Sequence, residues 1–160
     1  MVLKVDIPNF GILNLEHLVM DMNGTIATEG IIHDDLAVLF DQLNKAKTLA
    51  LHLLTADTFG TAVEMAKSFG LECHVLPKKR IEAEEKLDYI NSLGSEKCVA
   101  IGNGNNDCMM LEHAGLGIAV LGHEGIATQC LFSADIVVQD PKDALLLLLN
   151  PARLVATLRR

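Results

Sequence analysis

The chain has 160 residues, half of them apolar, and a formal net charge of −8. Its length suits one domain, taken as residues 1–160, since domains commonly run to about 100–150 residues. The acidic balance excludes a general nucleic-acid surface, which needs clustered Lys and Arg, and equally an anionic membrane surface.

Residues 1–7 alternate apolar and polar side chains like a strand, not like a secretory segment, and residues 3–7 predict an edge strand or hairpin. Leu18-Val19-Met20 predicts a buried strand. Leu36, Leu39, Phe40 and Leu43 fall at i, i+3, i+4 and i+7, one face of a helix. The stretch 31–43 is needed for that crossover helix, which leaves only a small flap, 27–34, near the first strand. A strand follows at 49–54, then a helix at 61–69 stopped by Gly70.

A short strand at 73–76 is closed by Pro77. The segment 81–93 predicts a helix with Ala83, Leu87 and Ile90 inward, ended by Gly94. A strand at 98–101 and a short helix at 107–114 come next. Strands are expected at 116–121 and 136–138, with a short helix at 126–132 between them. Residues 143–149 are helical, and their strongly apolar run 144–149 is too short for a bilayer, which takes about 20 residues. Pro151 opens a last helix. Strands alternating with helices, without linker or repeat, predict an α/β fold: a three-layer, Rossmann-like parallel sheet with helices on both faces.

The cysteines Cys73, Cys98, Cys108 and Cys130 form no C-x-x-C pair, and reduced thiols in a cytoplasmic protein are expected. The histidines show no metal-binding spacing and read as surface or satisfied residues, with His33 in the flap the one able to meet a substrate. Cys108 reads as a packed thiol, and Met109-Met110-Leu111 as helix core.

In an open parallel sheet, ligands bind beyond the carboxyl ends of the strands. Three predicted strands end in polar sequence: Asp21-Met22-Asn23-Gly24-Thr25, Thr55-Ala56-Asp57, and Gly102-Asn103-Gly104-Asn105-Asn106-Asp107. Singly, each has an ordinary explanation as a turn, a strand end or a helix cap. The third also looks like part of a dinucleotide fingerprint, but Asp107 stands at its third glycine and would repel a pyrophosphate. Together, at adjacent strand ends, the three segments point to one site.

These segments, with a downstream lysine, resemble the four motifs of the haloacid dehalogenase superfamily. The resemblance is strongest to the phosphorylation domain of P-type ATPases and to small soluble proteins similar to it. Leu54-Thr55-Ala56-Asp57, Thr61-Ala62, Ala66, Gly70-Leu71, Val75-Leu76-Pro77, Gly117-Ile118-Ala119-Val120 and Ala134-Asp135-Ile136-Val137-Val138 extend it from about Leu18 to Val138. It implies a Mg²⁺-dependent phosphohydrolase in which Asp21 attacks phosphorus and becomes an aspartyl-phosphate. Asp21, the backbone carbonyl of Asn23, and Asn103 or Asp107 would supply the hard oxygen ligands that Mg²⁺ prefers. Thr55 would donate a hydrogen bond to a phosphoryl oxygen and a lysine would neutralise another. Gly24, Thr25, Ala56 and Asn106 would lie on the substrate side. Two lysines are open for the site, Lys86 favoured and Lys79 nearer the Pro77 turn. Either could instead be a solvated partner of Glu82, Glu84 or Glu85.

Two positions depart from the family pattern. Asn23 stands where phosphatases of the superfamily usually carry a general acid/base, and Asn103 replaces the usual first carboxylate of the metal motif. An amide gives no proton to a leaving alkoxide, and such help is typically worth about 10²–10⁴-fold. The expectation is a slow enzyme on small phosphorylated substrates, preferring acyl or aryl phosphates. The short stretch between Asp21 and Thr55 leaves no room for a cap domain, which allows a homo-oligomer to close the site. The alternative is a non-enzymatic module that binds Mg²⁺ and phosphate, or is phosphorylated at Asp21 as a signal.

Overall fold

The computed structural model describes residues 2–160. Its first strands, β1 (Leu3–Ile7) and β2 (Gly11–Leu15), pair antiparallel as a hairpin outside the main sheet. The inward residues Val5, Ile7, Leu13 and Leu15 alternate with exposed ones, so the hairpin lays one apolar side on the core. Next come β3 (His17–Asp21), a two-stranded ribbon of β4 (Ala27–Thr28) and β5 (Ile31–Ile32), and α1 (Ala37–Ala46). The crossover helix is thus shorter than expected. Gly30 takes φ +80° to turn the ribbon, and residues 31–32 belong to it.

The chain continues through β6 (Ala50–Thr55), α2 (Ala62–Ser68), β7 (Glu72–Val75) and α3 (Glu82–Leu93). It then returns to the other side of β3 with β8 (Cys98–Gly102), followed by α4 (Cys108–His113) and β9 (Leu116–Val120). Last are α5 (Thr128–Ser133), β10 (Ile136–Val138), α6 (Pro141–Leu149) and α7 (Pro151–Leu158). Pro141 and Pro151 each stand at a helix start, and the Asp140 carboxylate accepts the Lys142 N–H there at 2.8 Å.

The six-stranded sheet is parallel throughout, in the order β10-β9-β8-β3-β6-β7. Side chains alternate across it. Leu18 and Met20 of β3 join a core layer with Phe40 and Leu43 of α1 and Leu145 and Leu148 of α6. Val19 faces the opposite layer, with Ile90 of α3, Met110 and Leu111 of α4, and Cys130 of α5. Helices therefore cover both faces, and the strands read as continuous apolar runs because both faces are buried. The direction of winding reverses between β3 and β8, and a crevice opens there at the strand ends.

Helix α3 differs from its expected orientation. Ile90 is buried as predicted and Leu87 packs half-buried against the same core layer, but Ala83 does not, while Glu85 and Lys86 are buried. Both charges have partners that make this possible. The Glu85 carboxylate accepts the N–H groups of Lys78, Lys79 and Arg80 at 3.2, 2.8 and 3.1 Å, closing the turn before the helix. Among the described residues, no helix is long and apolar enough to cross a membrane.

Candidate active site

Asp21 is the last residue of the central strand, in register with Leu54 of β6. The loop beyond it folds tightly because the Met22 carbonyl accepts the N–H groups of Thr25, Ile26 and Ala27 at 3.3, 3.0 and 2.9 Å. Met22 and Ile26 are buried beneath it, and Gly24 takes φ +80°, which other residues rarely adopt. This turn sets the Thr25 hydroxyl 3.1 Å from Asp21 Oδ2 and 3.2 Å from Asn103 Oδ1.

On the neighbouring strand β8, Gly102 permits a close approach. A Cβ on it would lie 2.5 Å from Cβ and Cγ of Asp107. The Asp107 carboxylate, fully buried, folds back over the loop, and its Oδ2 accepts the N–H groups of Asn103 and Gly104 at 3.0 Å each. Its Oδ1 faces Lys86.

Lys86 reaches this point from α3, wholly buried, with Nζ 2.7 Å from both Asp21 Oδ1 and Asp107 Oδ1. It donates to two carboxylates at once, which is what allows an ammonium to persist in the interior. Burial alone would lower its pKa, but Asp107 and Asp21 outweigh burial and hold it well above the ordinary lysine range. Burial pushes the Asp21 carboxyl up, and the charge of Asp107 adds to this. Lys86 and Thr25 pull it back, leaving it at about 7. Lys79, the other lysine considered, is exposed and lines a separate depression with Arg80 and Tyr89. No buried side-chain nitrogen or oxygen among the described residues lacks a hydrogen-bond partner.

Thr55 ends β6 on the other side of Asp21. Its buried Oγ1 accepts the Asp57 N–H at 3.0 Å, leaving the hydroxyl proton for another acceptor. Asp57, at φ +49°, accepts the Ala62 N–H at 3.0 Å and so fixes the start of α2. Asn23 is half-buried, and its Oδ1 accepts the Gly30 N–H at 2.7 Å, tying the loop after Asp21 to the ribbon.

A cavity of about 140 Å³ gathers Asp21, Asn23, Thr55, Ala56 and Asn106. It includes two residues that the motifs did not single out, Thr58 and Glu82. Glu82 Oε1 lies 3.2 Å from Lys86 Nζ and accepts from Asn106 Nδ2 at 2.8 Å. Its i, i+4 spacing from Lys86 was the available signal, since residues so spaced share a helix face. Gly24 and Thr25 open instead on a larger neighbouring cavity of about 530 Å³, which also contains His33, His123 and Glu124. Cys108 is a packed thiol, with Sγ 3.8 Å from the Gly104 carbonyl, and Met110 and Leu111 are core. His52 is buried and satisfied, 3.1 Å from both His17 and the Tyr89 hydroxyl.

The donors around Asp21 are hard oxygens: two carboxylates, the Asn103 amide oxygen and the loop carbonyls. Among the described residues no three His, Cys, Asp or Glu side chains gather into a group that could hold a metal ion, so a cation here would draw on amide and backbone oxygens beside the carboxylates. A divalent cation fits this set, because Asp21 and Asp107 place two buried negative charges around a single ammonium.

Residues 78–130 match the family of haloacid dehalogenase-like hydrolases. An uncharacterized protein of Methanocaldococcus jannaschii is 55% identical over 78 residues, which cover 46% of this chain and 84% of that protein. A cadmium, zinc and cobalt-transporting ATPase of Bacillus subtilis is 27% identical over 122 residues, 73% of this chain but 17% of the ATPase. Among solved structures, a 3-deoxy-D-manno-octulosonate 8-phosphate phosphatase of Moraxella catarrhalis, bound to magnesium, phosphate and its sugar, superposes with a TM-score of 0.68. The two share 17% identity, over 89% of this chain and 92% of that one.

Proposed function

Because the chain belongs to the haloacid dehalogenase-like hydrolases, we propose that it is a Mg²⁺-dependent phosphohydrolase working through a phosphoryl group carried on Asp21. One observation carries this reading. A buried carboxylate at the end of the central strand shares Lys86 with Asp107 and faces a cavity lined by a threonine hydroxyl.

Asp21 Oδ attacks phosphorus, the bond to the leaving group breaks, and the phosphoryl group stays on the carboxylate. Lys86, already at the nucleophile, neutralises phosphoryl oxygens as charge spreads over them. The free proton of the Thr55 hydroxyl is donated to a further oxygen. Asp107 keeps Lys86 and the 103–104 backbone in place. Mg²⁺, held by oxygens of Asp21, Asn23 and Asn103 with Asp107 behind them, would neutralise charge and favour the ionised nucleophile.

Asn23 has no proton to lend, and its amide oxygen is engaged by Gly30. Leaving groups that depart without protonation are therefore favoured: acyl and aryl phosphates. A second copy of the chain could cover this open site. The test compares turnover of an aryl phosphate and a sugar phosphate beside Asp21→Asn. Faster turnover of the aryl ester, abolished by the substitution, is expected. Equal rates on both esters would reject the missing-acid argument. A durable phosphoryl adduct on Asp21 without release would instead favour a signalling module, a reading that also draws on Asn23.

A further inference from the structure

Breakdown of an aspartyl-phosphate needs water to lose a proton as it attacks, and the amide at position 23 cannot accept it. We propose that Glu82 is the general base for this second half of the reaction, a role that rests on the phosphohydrolase reading above.

Asp21 and Glu82 are the two carboxylates in the wall of the 140 Å³ cavity. Once phosphorylated, Asp21 is the leaving group and cannot serve as base for its own release. Glu82 sits at the first residue of α3, with its side chain 35% exposed, so solvent reaches it. Its contacts with Lys86 and Asn106 both fall on Oε1. Among the described residues, Oε2 has no such partner and is left for a water in the cavity. The same two contacts aim the carboxylate, one from the lysine that touches the nucleophile and one from the motif loop.

In the step itself, the water oxygen bonds to phosphorus and its proton passes to the Glu82 carboxylate. The bond from phosphorus to Asp21 breaks and its electron pair returns to the Asp21 carboxylate. Phosphate leaves, and Glu82 gives the proton to solvent. The base serves only this half: in the first half the leaving group still departs with no proton donor at position 23. Activated leaving groups remain the preferred substrates for that reason.

The experiment uses acetyl phosphate and Mg²⁺, with the phosphoryl adduct followed by intact mass and Asp21→Asn as the blank. Wild type is expected to take the label and clear it. Glu82→Gln keeps an acceptor oxygen for Asn106. It should take the label at the wild-type rate, which shows an intact site, and release it about 10²-fold more slowly or worse. In Glu82→Ala, added formate should speed release by occupying the vacated space. Clearance at the wild-type rate in Glu82→Gln overturns the proposal and leaves the phosphohydrolase reading standing. Equal slowing of labelling and release also overturns it, because Glu82 would then act only by placing Lys86. A folded wild-type protein that never labels overturns both.

Discussion

The carboxyl of Asp21 stands at about 7 in the folded protein against an ordinary 3.8. Below the lower value, folded and unfolded chains both carry the proton. Between the two values the folded chain holds it and the unfolded chain does not. Stability must therefore fall as pH rises through this window, by about 1.4 kcal/mol per pH unit, and level off above it. From about pH 5 to pH 8, roughly two units of the window are crossed, a loss on the order of 3 kcal/mol. Asp21→Asn is neutral at every pH and lacks this term, while Lys86 keeps Asp107 as its partner. Urea unfolding of both proteins in EDTA, near pH 5 and near pH 8, isolates the site because titrations remote from it cancel in the difference. The variant's advantage over wild type should be about 3 kcal/mol larger at the higher pH than at the lower. Adding Mg²⁺ near pH 8 should close that gap by stabilising wild type alone. Parallel pH profiles for the two proteins would show that burial does not raise the Asp21 carboxyl, and the electrostatic account of the site would fall with it.

Lys86→Met leaves Asp21 and Asp107 buried without their cation, and should lower stability by about 3–5 kcal/mol in chemical denaturation and remove turnover. Gly102→Ala brings a Cβ to 2.5 Å from Asp107. It should push that carboxylate off the 103–104 backbone and lower both melting temperature and turnover, whereas Gly125→Ala, where a Cβ meets open space, disturbs the melt only through its φ of +81°. Thr55→Val removes one donor to the phosphoryl group. Turnover of an aryl phosphate should drop about 10²–10³-fold, while loss of the Asp57 N–H contact lowers stability by about 1 kcal/mol.

Much of this protein could be read from its sequence, because the signals involved are local. Buried parallel strands need apolar runs such as Leu18-Val19-Met20. A helix packed on a sheet needs an apolar stripe such as Leu36, Phe40 and Leu43, and Pro151 marks a helix start through its fixed φ. The motif residues Asp21, Thr55 and Asp107 were visible because each stands beside a run of that kind. Other features depended on partners distant in sequence. Periodicity turned Ala83 inward on α3 and left Glu85 and Lys86 outside, but Glu85 found the amides of the 78–80 turn and Lys86 found Asp21, 65 residues away. Buried charges with partners outweigh the modest gain of burying an alanine. The choice between Lys86 and Lys79 was tertiary for the same reason: a lysine's place depends on where the facing carboxylates lie once the sheet is assembled. So was the presence of Glu82 beside Asp21, which only the crossing of α3 over the ends of β3 and β8 brings about.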